Sequence, residues 1–234
     1  MRIVTLNDKK PASTFGCRTI ARVLFATGLV AAGPASLGGG DGSGVEARPG
    51  QTFVYVCGES EFVTRIEGDV AWVFARSGTV RLPRVRSASG AKFQGEEAML
   101  WSKGEEAMVT IDGTTYKDCR NDRRRAVWED AKLRGADFRA TGNEPGWVLE
   151  ISQGTRISFN GDYGATRLEL QSNPPVEDQA ARQTRYTASD GNHRMSVVIE
   201  MAPCQDTMSG DSFSSRLTLN VDGRELHGCG RPLH

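Results

Sequence analysis

The chain has 234 residues, which allows one large domain or two small ones. Its 29 Lys and Arg residues balance 29 Asp and Glu residues, which excludes the basic character of a general nucleic-acid-binding protein. Charged residues make up 25% and apolar residues 38%, a composition that excludes wholesale disorder. The 27 glycines exceed the average share of about 7% and favour short strands joined by tight turns.

The N-terminal segment has the features of a secretory signal peptide. Residues 1–22 carry five basic side chains and one acid, and the apolar run Val23–Ala32 follows. Small residues come next, so cleavage is expected after Ala32 or Ala35, and the run is too short to span a bilayer. We therefore predict a signal peptide at 1–35, an exported, periplasmic product and no transmembrane segment. The alternative is a disordered N-terminal tail.

Cysteine usage agrees with export. Once Cys17 is assigned to the signal peptide, the remaining cysteines are Cys57, Cys119, Cys204 and Cys229. An even set in an exported chain predicts disulfides, because oxidising compartments form and keep them. Pairing in sequence order joins the first two and the last two, although four cysteines allow three connectivities. A zinc site is the alternative, but the sequence has no CxxC pair, and we expect neither a metal nor a cofactor.

Two segments follow the signal peptide. Residues 36–48 are rich in glycine and lack apolar periodicity, so they are interpreted as a flexible linker. Between residues 49 and 120, short apolar runs recur between Gly, Ser and Asp: Thr52–Cys57, Glu61–Ile66, Val70–Ala75, Thr79–Leu82, Ala98–Trp101 and Ala107–Ile111. Strands at such close spacing predict a closed or nearly closed antiparallel sheet, which a disulfide from Cys57 to Cys119 would brace.

Residues 121–135 have a different composition and predict one short helix. Asp122 can cap its start and Gly135 can end it, while apolar residues between them can pack. The basic run Arg123–Arg125 is interpreted as a solvated helix face, because acidic residues dilute it.

Residues 136–234 predict a second β-rich domain. Its expected strands are Val148–Ile151, Arg156–Phe159 and Arg167–Leu170, followed by the strictly alternating stretches around Met195–Met201 and Leu217–Val221. The polar stretch Gln171–Arg185, which contains Pro174 and Pro175, is expected to be a long loop. The fold class is therefore all-β, with two small antiparallel barrel-like modules joined by a helical connector.

The sequence lacks the common catalytic motifs, including GxSxG, HExxH, the P-loop and GxGxxG between a strand and a helix. The acid pairs Glu96–Glu97 and Glu105–Glu106 are interpreted as solvated charge rather than a glycosidase pair, which needs two acids across a cleft. The histidines His193, His227 and His234 have no partner at ligand or triad spacing. We predict a binding protein and not an enzyme.

One group of motifs in the first module points to a known family. The stretch Ser87–Gly104 reads SASGAKFQGEEAMLWSKG, with Tyr55-Val56-Cys57 upstream and Cys119 downstream. These motifs, which span about residues 49–120, resemble the bacterial inhibitors of c-type lysozyme, a family with membrane-bound and periplasmic forms. The resemblance lies in a Tyr-x-Cys opening, an SGARY-like loop over Ser89–Phe93 and a (Tyr/Trp)-x-x-KG-x-x-A-like element over Leu100–Ala107 that contains Lys103.

This resemblance implies an antiparallel β-barrel with two loops that enter the lysozyme active cleft. The first loop contributes Ser89 and Gly90, and the second contributes Trp101, Lys103 and Gly104. Ser89 and Lys103 match the positions that contact the two catalytic carboxyl groups in the family. A hydroxyl and an ammonium are suitable blockers, because lysozyme uses one protonated and one ionised carboxyl group.

Two positions depart from the family pattern. Lys92 stands where the family more often has Arg, and Phe93 where it often has Tyr, so a bidentate guanidinium contact and a hydroxyl are lost. These changes bear on potency and target choice more than on the fold. The lipid-anchoring cysteine of the membrane-bound form is absent, which favours the periplasmic form.

The second module has a weaker resemblance. The stretch Asn143-Glu144-Pro145-Gly146-Trp147 is similar to the NEPFW-like motif of an uncharacterised bacterial envelope domain, with Gly146 in place of Phe. Asn143 and Glu144 are candidates for a ligand site, with a structural turn as the alternative. Trp147 is expected to be a core residue.

The prediction from the sequence is an inhibitor of c-type lysozyme that protects the bacterial cell wall. Its partner is a protein, with no nucleic acid involved. A non-inhibitory envelope module, with a structural or ligand-binding role, is the alternative, and an enzyme that acts on cell-wall material is a third possibility.

Overall fold

The computed structural model describes residues 50–234, and the predicted signal peptide and linker lie outside them. The first eight strands are β1 (Gln51–Cys57), β2 (Ser60–Glu67), β3 (Val70–Ala75), β4 (Gly78–Val85), β5 (Ala91–Gln94), β6 (Met99–Lys103), β7 (Glu106–Ile111) and β8 (Thr114–Asn121). They form a closed antiparallel barrel in chain order, and β8 returns to pair with β1 at Tyr55 and Val56. The closed barrel of the sequence prediction is confirmed.

Side chains of β6 and β7 alternate between the core and the surface, as the strand period of two residues requires. In β6, Leu100 and Ser102 are buried, whereas Trp101 and Lys103 face outward. The sequence pattern missed two of the eight strands. β5 is only four residues long, and β8 is polar along most of its length, so neither carries a clear apolar alternation.

A single short helix, α1 (Arg123–Leu133), follows the barrel as predicted. The Asp122 side chain accepts a hydrogen bond from the Arg125 backbone N–H at 3.1 Å, which caps the helix N-terminus. On its buried face, the Trp128 ring packs against the guanidinium groups of Arg139 and Arg231, which lie 5.5 and 5.0 Å from the ring centre. The helix is thereby fixed to the second β region.

The remaining strands form a nine-stranded antiparallel sheet and one small hairpin. In chain order they are β9 (Ala136–Asn143), β10 (Gly146–Ser152), β11 (Arg156–Gly161), β12 (Thr166–Gln171), β13 (Val176–Asp178), β14 (Gln183–Ser189), β15 (Arg194–Glu200), β16 (Cys204–Gln205), β17 (Ser212–Phe213), β18 (Ser215–Val221) and β19 (Arg224–Pro232). A short 3₁₀ turn, Asp162–Gly164, precedes β12. The order in the sheet is β12-β11-β10-β9-β19-β18-β15-β14-β13, and β16 pairs with β17.

The nine-stranded sheet curls until its two ends meet. β12 and β13 are separated by only four residues, and an isolated bridge joins Ser172 to Ala188 of β14. The prediction of a long loop over Gln171–Arg185 is wrong, because β13 and the start of β14 lie within it. Exposed edge strands with few apolar residues lack the alternation of apolar and polar residues that predicts a strand, which explains the error.

The two disulfides join Cys57 to Cys119 and Cys204 to Cys229, so the pairing in sequence order is confirmed. The sulfur atoms that a zinc site would require are therefore oxidised. Within residues 50–234, no helix is long and apolar enough to cross a membrane.

Candidate functional site

Two connections at one end of the barrel carry the residues singled out from the sequence. The first is the loop between β4 and β5, residues 86–90, and the second is the turn between β6 and β7, residues 104–105. Because Ala91 of β5 pairs with Ser102 of β6, the loop and the turn lie side by side. The barrel therefore brings Ser89 and Lys103 to the same end.

The first loop is held in place by bonds to its backbone. The Trp101 indole N–H donates to the Ser89 carbonyl oxygen at 2.9 Å, and the Ser87 hydroxyl donates to the Gly90 carbonyl oxygen at 3.0 Å. The Ser89 side chain is exposed, and its hydroxyl makes no hydrogen bond within the described part of the chain. The loop is thus ordered while the Ser89 hydroxyl stays available.

Gly90 allows the first loop to pack closely against β6. Its φ of +69° favours glycine, and a Cβ at this position would lie 2.3 Å from the Ser102 carbonyl oxygen. A side chain here would push the loop away from β6.

Lys103 is the last residue of β6 and points outward from the barrel. Among residues 50–234 it has no ion-pair or hydrogen-bond partner, and Gly104 follows it with a φ of +61°. The ammonium is therefore free to meet a carboxylate on another molecule.

Lys92 and Phe93, the two departures from the family pattern, have different environments. Phe93 is fully buried in the barrel core, beneath the Arg84 guanidinium at 5.4 Å from the ring centre. Lys92 lies on the outer face and is paired across the strands with Trp101, which is 38% exposed. Phe93 thus contributes packing, while Lys92 and Trp101 present an outer surface beside the first loop.

The structure adds Glu105 to the site, a residue that the sequence analysis interpreted as solvated charge. Its carboxylate accepts hydrogen bonds from Arg123 at 2.6 Å and from Asn121 at 2.9 Å. The bond from Arg123, followed by that from Asn121, lowers the pKa of Glu105 to about 2. Nothing in the local sequence signals this contact, because its partners lie at the end of β8 and the start of α1.

A shallow depression of about 560 Å³ lies beside the first loop. Its wall includes Asp69, Arg84, Arg86, Ser87 and Gly90. This concave surface adjoins the predicted contact residues, and it contains two guanidinium groups and one carboxylate, with Arg84 paired to Asp69 at 3.8 Å.

In the second region, Asn143 and Glu144 do not share one environment. The Asn143 amide donates to the buried Asp206 carboxylate at 3.0 Å, whereas Glu144 is exposed. Burial would raise the pKa of Asp206, but hydrogen bonds from Ser209, Asn143 and Met208 outweigh it and lower the pKa. Asn143 therefore anchors the loop that follows Asp206.

Trp147, the last residue of the NEPFW-like stretch, is 3% exposed and packs against Phe159 in the sheet core. Gly146 lies against the ring of Tyr163, and a Cβ on Gly146 would be 3.2 Å from that ring. Trp147 is a core residue, as expected.

The comparison with protein families bears on the barrel. Residues 55–118 match the model of the family described as membrane-bound lysozyme-inhibitor of c-type lysozyme. The match covers about a quarter of the chain and includes both Ser89 and Lys103, so the predicted family resemblance of the first module is confirmed. No curated protein and no solved structure showed a significant match to the chain.

Proposed function

We propose that the protein inhibits c-type lysozyme through its N-terminal barrel and so protects the bacterial cell wall. The carrying observation is that residues 55–118 match an inhibitor family. The geometry is compatible with this function, because the exposed Ser89 hydroxyl and the unpaired Lys103 ammonium lie on neighbouring connections at one barrel end. The proposal treats residues 49–120 as the inhibitor domain and 136–234 as a separate β domain.

The proposed mechanism is insertion of the two connections into the lysozyme cleft. Lysozyme cleaves its substrate with one protonated carboxylic acid and one ionised carboxylate. The Lys103 ammonium would form a charge-assisted hydrogen bond with the ionised carboxylate, and the Ser89 hydroxyl would bond to the other carboxyl group. Such bonds gain strength when the interface excludes water, and together the two contacts would block the reacting groups.

The outer surface beside the loops supplies the remaining contact area in this proposal. Trp101 is partly exposed and donates a hydrogen bond to the Ser89 carbonyl oxygen, so it links the proposed cleft contact to the outer surface beside it. Aromatic residues of this kind often dominate protein interfaces. Lys92 lies next to Trp101 on the same surface and would contact the rim of the cleft.

The first test is an assay in which c-type lysozyme clears a bacterial cell suspension in the presence of the oxidised protein. Inhibition is expected in wild type. Lys103→Ala should raise the inhibition constant at least 30-fold, which corresponds to about 2 kcal/mol. Lys92→Ala serves as the matched control, because it removes the same charge from the rim and is expected to cost about fivefold or less.

The outcomes separate the competing functions. Full clearing at a large molar excess of the protein contradicts inhibition and favours a non-inhibitory envelope module. Clearing by the protein in the absence of lysozyme favours an enzyme that acts on cell-wall material. An equal increase of the inhibition constant in the Lys103 and Lys92 variants would mean that the proposed insertion geometry is wrong.

Export to the periplasm belongs to the same proposal, because the target of lysozyme lies outside the cytoplasm. The predicted signal peptide at 1–35 and the two disulfides support it. N-terminal sequencing of the mature protein from a periplasmic fraction tests it, with a new terminus expected after Ala32 or Ala35. An intact N-terminus in the cytoplasmic fraction contradicts it.

A further inference from the structure

The turn that carries Lys103 is bonded to a part of the chain beyond the residues that match the inhibitor family. Glu105 lies two residues after Lys103, and its carboxylate accepts hydrogen bonds from Asn121 Nδ2 at 2.9 Å and Arg123 Nη2 at 2.6 Å. Its carbonyl oxygen also accepts from the Asn121 backbone N–H at 2.8 Å. Three bonds therefore hold one side of the turn to the junction of β8 and α1.

Asn121 is itself fixed in the barrel wall. Its Oδ1 accepts a hydrogen bond from the backbone N–H of Val54, a fully buried residue, at 2.9 Å. Its backbone pairs with Tyr55 in the β1–β8 ladder that closes the barrel. The side-chain oxygen and nitrogen of Asn121 are thus both hydrogen-bonded. These bonds fix the orientation of its amide group, which therefore holds Glu105 in one position.

Lys103 lacks comparable support of its own. Its side chain is exposed and unpaired in the region that the structure describes, and a Cβ added to Gly104 would meet no atom within 4 Å. Ordering a long, flexible side chain and a glycine turn on binding costs conformational entropy. A turn whose backbone is already fixed avoids part of that cost.

We propose that Glu105 is a positioning residue for lysozyme inhibition. Together with Asn121 and Arg123, it fixes the direction of the Lys103 turn, so the start of α1 is a functional part of the inhibitor. This inference rests on the proposed function, and it extends the inhibitory unit past residue 118, where the family match ends.

The test compares Glu105→Gln with Glu106→Gln at the next position, the first residue of β7. Glu106 is a matched control, because its carboxylate pairs with Arg120 at 2.9 Å on the outer surface and does not touch Asn121. Glu105→Gln should raise the inhibition constant about tenfold, the usual consequence of losing a hydrogen bond to a charged group, whereas Glu106→Gln should change it less than about twofold. Equal effects of the two substitutions would overturn the proposal.

A double variant separates positioning from general destabilisation. If Glu105 acts through Lys103, then Glu105→Gln should cause no further loss when it is added to Lys103→Ala. A merely structural role would lower the affinity by the same factor in both backgrounds and would overturn the proposal. Rescue provides a second check, since Glu105→Asp with its shorter side chain should recover only part of the inhibition.

A direct measurement of the turn does not depend on lysozyme. Backbone ¹⁵N relaxation of Gly104 should give an order parameter of about 0.85 in wild type and Glu106→Gln, and below about 0.6 in Glu105→Gln. An unchanged value in Glu105→Gln overturns the positioning role even when wild type inhibits. Absence of inhibition by wild type overturns the proposed function instead, and the relaxation data then still decide whether Glu105 holds the turn.

Discussion

One charged side chain of the barrel, Lys103, and one of the curled sheet, Glu150, have opposite environments. At the barrel end, Lys103 is exposed and has no partner among the described residues. On the sheet, Glu150 is 8% exposed and accepts hydrogen bonds from both Arg134 and Arg139. An unpaired exposed charge costs the fold little and remains available for binding, whereas a buried charge must be paired to be tolerated. Lys103 is thus available to a partner molecule, as the proposed function requires, whereas Glu150 serves the fold.

The paired charged groups near α1 have shifted pKa values. Hydrogen bonding to Glu150 raises the pKa of Arg134, and desolvation lowers that of Arg139, against the pull of Glu150. Asp130 completes the cluster through Arg134 and reaches back to Arg65 and the barrel at 2.9 Å. The helix therefore joins the two regions through paired charges.

The largest loss of stability, in the barrel or in the sheet, is expected from removing the disulfides one at a time. In the loop-entropy model, the bond from Cys57 to Cys119 closes a separation of 62 residues and that from Cys204 to Cys229 one of 25. Replacing each pair by alanine should cost about 4 and about 3 kcal/mol respectively. Native-state amide exchange should show the loss in the barrel for the first pair and in the sheet for the second.

The control for that experiment is the region that keeps its disulfide. If barrel and sheet are separate domains, its exchange protection should stay within about 0.5 kcal/mol of wild type. Equal loss of protection in both regions would contradict separate domains and show that the two unfold as one cooperative unit.

A loss similar to that of the second disulfide is expected for the buried ion pair on the sheet. Glu150→Ala leaves Arg139 buried without its charge partner, and Arg139 is already without a partner for its Nε among the described residues. We expect a loss of about 3 kcal/mol in the free energy of unfolding, measured by urea denaturation. Lysozyme inhibition at low temperature should be unchanged, because the barrel end is not altered.

Glu169→Ala is the matched control for Glu150. Glu169 is an exposed carboxylate on β12 of the same sheet, and its loss should change stability by about 0.5 kcal/mol or less. Similar losses in the two variants would show that burial of Glu150 is not the cause. Reduced inhibition in Glu150→Ala would contradict the division between a binding barrel and a structural sheet.

Features carried by local patterns could be predicted from the sequence. The apolar run Ala98–Trp101 located β6, the capping residue Asp122 located α1, and the order of the cysteines matched their pairing. Each of these depends on residues that are close in sequence or few in number. The short or polar strands β5, β8 and β13 lacked such a pattern and were missed.

Candidate site residues could be proposed from the sequence only where a family motif covered them. The motifs proposed Ser89 and Lys103 as contact residues, and the barrel places them side by side. The contact of Glu105 with Asn121 spans 16 residues and arises only when β8 closes the barrel, so no local pattern could reveal it. The same holds for His193, whose carboxylate partner Asp222 lies 29 residues away.

The smallest predicted effect concerns this His193–Asp222 pair, which joins two hairpin turns of the sheet at 2.8 Å. The bond with Asp222 raises the pKa of His193 above 6.5, with a further contribution from Asp190, and the bond with His193 lowers the pKa of Asp222 below 3.8. The stabilisation by His193 is therefore fully present below pH 6.5 and is lost as the pH rises through the raised pKa. The contribution of Asp222 is present above pH 3.8 and is lost as the pH falls through its lowered value.

We therefore expect amide protection at the two turns to fall modestly as the pH rises above 6.5, after correction for intrinsic exchange, with barrel amides unaffected. His193→Ala should abolish this pH dependence, because no group that changes charge in that range then faces Asp222. His227→Ala is the control, since His227 lies on β19 beside Glu225 and does not contact Asp222. If the pH dependence of amide protection survives in His193→Ala, another group causes it. If the barrel amides show an equal pH dependence, the effect is not confined to the sheet and the prediction is wrong.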